Sequence, residues 1–298
     1  MKISLAFSLL FAVSATFSAN AQEEQITPFS LRVQNVDDEG IGFWIDMKGY
    51  KELGSPCLSH DGQWLAFDAY KAGFDHSTSE CWMRKREGGE LRKLANGATP
   101  RWSPDAKRLL FMRELANDRT REPGVFLIDQ DGKNEKKLLD GRWPDWSPDG
   151  RKLVYSLGGR KGRFGGTRVL ARTWIADLDG SNRKELCDGD CPSWSPDGLR
   201  IATCHQDPAV PAPYIRLSDL TGDEQSILGL GWHRANWTKD GEHVVCNGYL
   251  QGGREPKMLK LPTKRGQAGP IYEGYESARA PCYSRDGKWI AFIAERPK

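Results

Sequence analysis

The sequence predicts an all-β chain: a six-bladed β-propeller of four-stranded blades. Three observations predict it. A twelve-residue segment recurs six times, as 56-PCLSHDGQWLAF-67, 100-PRWSPDAKRLLF-111, 144-PDWSPDGRKLVY-155, 192-PSWSPDGLRIAT-203, 235-ANWTKDGEHVVC-246 and 281-PCYSRDGKWIAF-292. Its turn aspartates, Asp61, Asp105, Asp149, Asp197, Asp240 and Asp286, stand 44, 44, 48, 43 and 46 residues apart, the period of a four-stranded blade. The segments between are rich in β-formers and turn residues, which argues against a helical repeat of similar period.

Each element of the repeat has a local reason. In Ser-Pro-Asp-Gly, Pro sets φ at the first corner, Asp accepts hydrogen bonds from nearby backbone N–H groups, and Gly takes the φ > 0 position. The six aspartates are therefore expected to cap their own turns rather than to act as catalysts or calcium ligands. Alternating apolar residues after the turn, such as Leu153 and Tyr155, mark a half-buried strand. The aromatic before the turn (Trp102, Trp146, Trp194, Trp237, Tyr283) is expected to pack between blades. Two more strands follow each copy, as in 125-VFLIDQDG-132 and 134-NEKKLLDG-141. The strands of a blade are labelled A to D, with A innermost. The sixth copy has room only for A and B before Lys298, so the N-terminal segments 41-IGFWIDMKG-49 and 50-YKELG-54 are expected to supply C and D in a two-plus-two closure. The expected organisation is a signal peptide over 1–21, an N-terminal lead over 22–40 and a propeller over 41–298.

The signal-peptide reading rests on Lys2, the apolar run after it, and Ala19-Asn20-Ala21 ahead of a cleavage before Gln22. It implies a periplasmic or secreted protein, with no later segment apolar enough to span a bilayer. The mean hydropathy of −0.62 and the net charge of +3 carry no global nucleic-acid footprint. Seven cysteines follow the cleavage site, an odd number. Cys187 and Cys191, flanking a short turn, are the expected disulfide if one forms.

The segment P-x-W-S-P-D-G followed by a strand ending in an aromatic resembles the PD40, or WD40-like, repeat of the TolB family, over about residues 41–298. The resemblance implies a periplasmic propeller that binds an envelope lipoprotein. TolB proteins also carry an α/β domain before the propeller, for which the segment ahead of residue 41 is too short. Related repeats occur in oligogalacturonate lyases and in peptidases whose propeller sits on a hydrolase domain. Repeats five and six depart from the consensus at Thr238-Lys239 and Arg285.

Strand order places the A–B and C–D turns on one face and the long B–C loops on the other. Arg160, Lys161, Arg163, Arg168 and Arg172 belong to one long loop, Arg119, Arg121 and Arg254 to its neighbours, and Arg142, Arg234 and Arg279 to D–A junctions near the channel mouth. These charges read either as scattered and solvated or as a cationic rim for an anionic partner. His76, His205 and His233 map to the same face and could hold a divalent metal if they converge. There is no G-x-S-x-G, H-E-x-x-H or P-loop motif. The expectation is a monomeric binding scaffold without catalytic residues or cofactor. Its expected partner is an envelope protein or an anionic carbohydrate. The alternative is a metal-assisted enzyme resembling oligogalacturonate lyases, with its site at the channel mouth.

Overall fold

The computed structural model describes residues 29–298 except 115–121, 160–170, 208–211, 251–255, 273–274, 276 and 297–298, and leaves out the side chains of 224, 225, 232 and 233. The chain opens with β1 (Ser30–Asn35) and β2 (Gly42–Ile45). Blade 1 follows as β3 (Glu52–Leu58), β4 (Trp64–Tyr70), β5 (Ser79–Lys85) and β6 (Gly88–Asn96). Blade 2 is β7 (Ala98–Trp102), β8 (Arg108–Arg113), β9 (Gly124–Asp129) and β10 (Lys136–Asp140). Blade 3 is β11 (Arg142–Trp146), β12 (Lys152–Gly158), β13 (Ala171–Asp177) and β14 (Lys184–Asp188). Blade 4 is β15 (Asp190–Trp194), β16 (Arg200–His205), β17 (Tyr214–Asp219) and β18 (Glu224–Leu230). Blade 5 is β19 (Trp232–Trp237), β20 (His243–Gly248), β21 (Lys257–Pro262) and β22 (Gly269–Pro270). Blade 6 joins β23 (Arg279–Tyr283) and β24 (Trp289–Ala294) to β1 and β2, in the order β2-β1-β24-β23.

The two-plus-two closure thus stands, but its N-terminal half is displaced. The closing strands are 30–35 and 42–45, not 41–49 and 50–54. Residues 52–58 form the inner strand of blade 1. The propeller consequently begins at Ser30, inside the segment expected as a lead. The cause is packing: Leu31 and Val33 are fully buried as β1 pairs with β24 over six residues. In the sequence 30-SLRVQN-35 is a short polar-apolar alternation that a solvent-facing segment could equally show.

All six turns are built alike. Ser59, Ser103, Ser147, Ser195, Thr238 and Ser284 each donate to the turn Asp at 2.5–2.6 Å. Each Asp also accepts the N–H two residues on, at 2.9–3.1 Å. Five turns carry Gly at φ 67–78°, and the second carries Ala106 at φ 57°. The aspartates are structural caps, as their sequence setting implies. The blade-linking role of the aromatics is visible too: Trp146 Nε1 donates to the Arg101 carbonyl of blade 2, and Trp237 Nε1 to the Ser193 carbonyl of blade 4.

The second strands have neighbouring blades on both faces, so they are apolar almost throughout. Phe67, Phe111, Tyr155 and Phe292 lie in the middle of four of them at 0–1% exposure. Each such ring contributes about 1.5–3 kcal/mol of transfer free energy.

One feature of the inner strands was not legible in the repeat. Each has a register shift against its B strand, between Gly54/Cys57, Ala98/Arg101, Arg142/Asp145, Asp190/Ser193, Trp232/Asn236 and Arg279/Cys282. In five blades the residue before the repeat's proline takes positive φ: Ser55, Thr99, Trp143, Cys191 and Ala280, at 39–56°. A residue ahead of proline is disfavoured in the helical region, and a bulge re-aims the side chains that follow. The strained backbone is held from the preceding blade. Asp68 Oδ2 accepts the Thr99 N–H at 2.7 Å, Ser156 Oγ the Cys191 N–H at 3.1 Å and Asn247 Oδ1 the Ala280 N–H at 2.7 Å.

Candidate functional site

The bulge presents the second residue of each repeat, which follows proline in five of the six, to the central channel. Cys57, Arg101, Asp145, Ser193, Asn236 and Cys282, one from each blade, line a common cavity. His60, Pro196, Lys239 and Arg285 from the A–B turns frame its mouth, and it encloses about 570 Å³ including the part open to solvent. The cavity therefore opens on the Ser-Pro-Asp-Gly face, at the other end of the channel from the long B–C loops. Sequence reasoning missed this ring. Its only sequence signal is that the position between Pro and Trp varies while its neighbours repeat.

Charge is concentrated in the ring. Asp145 Oδ1 lies 3.8 Å from Arg101 Nε and 3.8 Å from Arg234 Nη2, and its Oδ2 accepts the Trp194 N–H at 3.0 Å. Arg234 reaches across from blade 5 to blade 3. Its Nη2 donates to the carbonyls of Pro144 and, at 3.3 Å, Trp143. Arg234 is 8% exposed, and its Nε and Nη1 have no hydrogen-bond partner among the described residues. Burial and the neighbouring Arg101 push its pKa down. Arg101 also faces the Cys57 thiol, which the neighbouring Cys282 and the Arg101 charge bring down to about 6 against the opposing effect of burial. At the mouth, burial and Arg285 lower His60 to about 4.

The expected cationic rim is largely neutralised where it is described. Arg142 Nη2 is 3.1 Å from Asp190, with Glu122 at 3.8 Å from Nη1. Arg172 pairs with Asp188 and Glu185. Arg279 pairs with Glu52 at 2.6 Å and lies over the Phe29 and Phe74 rings. Of the four described arginines in that set, Arg234 alone keeps buried N–H groups without a partner. Arg119, Arg121, Arg160, Lys161, Arg163, Arg168 and Arg254 lie outside the described residues.

The histidines are engaged separately. His76 Nδ1 is 3.2 Å from the Tyr70 hydroxyl, and its ring meets Trp143 edge-on. His205 Nε2 is 2.9 Å from Thr203 Oγ1, and its ring stacks on Tyr214. The His233 side chain lies outside the described set. Among the described residues no group of three or more His, Cys, Asp or Glu side chains is placed to hold a metal ion. Cys187 and Cys191 are free thiols on strands of neighbouring blades. Cys187 is turned toward Ser218 and Thr173. The thiols that shift each other's pKa are Cys57 and Cys282.

No helix among the described residues is long and apolar enough to cross a membrane. No protein-family model matches the chain, and no curated protein matches it. Solved structures do. An Agrobacterium tumefaciens protein provisionally named TolB aligns at TM-score 0.69 and 15% identity, over 92% of this chain and 100% of its own. TolB from Acinetobacter baumannii aligns at TM-score 0.59 and 16% identity, over 86% of this chain and 66% of that one. Oligogalacturonate lyase from Vibrio parahaemolyticus aligns at TM-score 0.53 and 14% identity, over 78% and 76%. At these identities the likeness is one of fold, and the fold this chain shares with the two TolB structures is the six-bladed β-propeller.

Proposed function

We propose that this protein is an exported, non-catalytic propeller scaffold that captures an acidic segment of an envelope protein, seating a carboxylate in the central channel. Export rests on the signal-peptide pattern over 1–21. The observation that carries the binding reading is Arg234, buried behind the cavity lining with two nitrogens unpartnered and sharing the single carboxylate of Asp145 with Arg101. A guanidinium is the side chain best shaped for two-point recognition of a carboxylate, and a low-dielectric channel strengthens the contact. A carboxylate there would satisfy donors that otherwise remain buried at a cost.

The test is calorimetric titration of the mature protein with an Asp/Glu-rich peptide and, in parallel, with an oligogalacturonate. Saturable peptide binding that weakens at least tenfold in Arg234→Met supports the reading. An anionic carbohydrate becomes the better partner if only the glycan binds. The scaffold reading is lost if the glycan is instead cleaved to an unsaturated product. Equal peptide affinity in wild type and Arg234→Met removes the channel from the proposal. The Arg160→Ala/Arg163→Ala/Arg168→Ala variant asks the same question of the long-loop face.

A further inference from the structure

We propose that Cys57 and Cys282 form a redox-active dithiol that closes to a disulfide across the seam of the ring, taking a small disulfide as its oxidant. The geometry comes first. The two residues occupy the same repeat position on β3 and β23, inner strands that are neighbours around the channel. Both line the cavity, and each thiol shifts the other's pKa. Each sulfur also lies close to the next carbonyl of its own strand, Cys57 Sγ 3.8 Å from Leu58 O and Cys282 Sγ 3.7 Å from Tyr283 O, so the two strands present their thiols alike.

The electrostatics assign different roles to the pair. The Cys282 thiol and the Arg101 charge both favour the ionised form of Cys57, so Cys57 is the thiol that ionises first. The pKa of Cys282 is correspondingly raised, by the Cys57 contact and by burial. A more acidic thiol beside a less acidic one is the arrangement of an attacking and a resolving cysteine. The Cys57 thiolate would attack one sulfur of a small disulfide, forming a mixed disulfide and expelling one thiolate. Cys282 would then attack the Cys57 sulfur, giving its proton to the second departing thiolate. Two protein thiols are oxidised to one disulfide, and the small disulfide is reduced to two thiols. At 5% and 4% exposure the pair is open only to reagents that fit the cavity.

The position gives the bond a consequence. The ring is closed by pairing of β1 with β24, where the two ends of the chain meet. A Cys57–Cys282 bond would fasten the first blade to the last covalently and enclose nearly the whole propeller in one loop. It would also remove the thiolate that faces Arg101.

The folded mature protein is incubated at pH 7 with bis(2-hydroxyethyl) disulfide, denatured in acid, alkylated, digested and analysed by mass spectrometry. A cross-linked peptide pair carrying Cys57 and Cys282 is expected. Cys282→Ser should trap the mixed disulfide on Cys57, whereas Cys57→Ser should leave Cys282 unmodified over the same time. In wild type, Cys57 should react roughly tenfold or more faster than Cys81 or Cys246, whose burial raises their pKa values. The proposal is overturned if Cys57 and Cys282 are both recovered alkylated, or if Cys282 in Cys57→Ser reacts as fast as Cys57 in Cys282→Ser. The wild-type measurement decides the question even if a serine variant folds poorly.

Discussion

Replacing Asp145 with Asn removes the one carboxylate between two buried guanidiniums and keeps the shape of the side chain. The amide oxygen can still accept the Trp194 N–H, which Asp145 now binds at 3.0 Å. What is lost is charge. Each Asp145–Arg contact is 3.8 Å, worth about 4 kcal/mol at an effective dielectric constant near 20. The two are not simply additive, because Asp145 is open to the cavity at 17% of its side-chain surface and water there screens part of the field. Removing one partner of a buried ion pair costs about 3–5 kcal/mol, and the partial exposure places Asp145→Asn near about 3 kcal/mol on that scale. Urea unfolding followed by tryptophan fluorescence measures it, as a lower midpoint with unchanged slope. The double variant Asp145→Asn/Arg234→Met should recover more than about 1 kcal/mol relative to additivity, since it removes a guanidinium charge that the single substitution leaves uncompensated. A loss below about 1 kcal/mol for the single variant, or strict additivity in the double, would refute Asp145 as the counter-ion of the channel.

Two further outcomes are expected. Ala106→Gly should stabilise the protein by about 0.5–1 kcal/mol, because a left-handed Ala costs about 1–2 kcal/mol and the added backbone entropy of Gly takes back about 0.5–1 kcal/mol. The other five turns already carry Gly at φ 67–78°, and a lower urea midpoint would show the strain reading wrong. Burial, aided by Arg216, depresses the pKa of His205 to about 4 from 6.5. Stability from the neutral ring is then complete above pH 6.5 and is lost as pH falls through about 4. His205→Gln should reduce the drop in stability between pH 7 and pH 4 by up to about 3 kcal/mol. Unfolding curves with the same pH dependence in both proteins would contradict the buried-neutral assignment.

The sequence by itself determined the blade count, the six turns and the closure of the ring from both chain ends. Those features are written in contiguous residues: Ser-Pro-Asp-Gly closes its own hydrogen bonds, and the aromatic before it needs only a neighbouring blade to bury against. It misplaced the closing hairpin, because a short strand such as 30-SLRVQN-35 becomes recognisable only when β24 lies beside it. The channel was decided by the tertiary structure. A strand A bulge, stabilised by Asp68, Ser156 and Asn247 of preceding blades, turns one variable residue per repeat toward the axis. Arg101, Asp145, Arg234, Cys57 and Cys282 are separated in the chain by one or more blades, so no local pattern could pair them. The arginines that looked like a cationic rim shared this limit. Arg142 and Arg279 find their acids, Asp190 and Glu52, on the first residues of neighbouring inner strands, and only the closed ring brings those charges within reach.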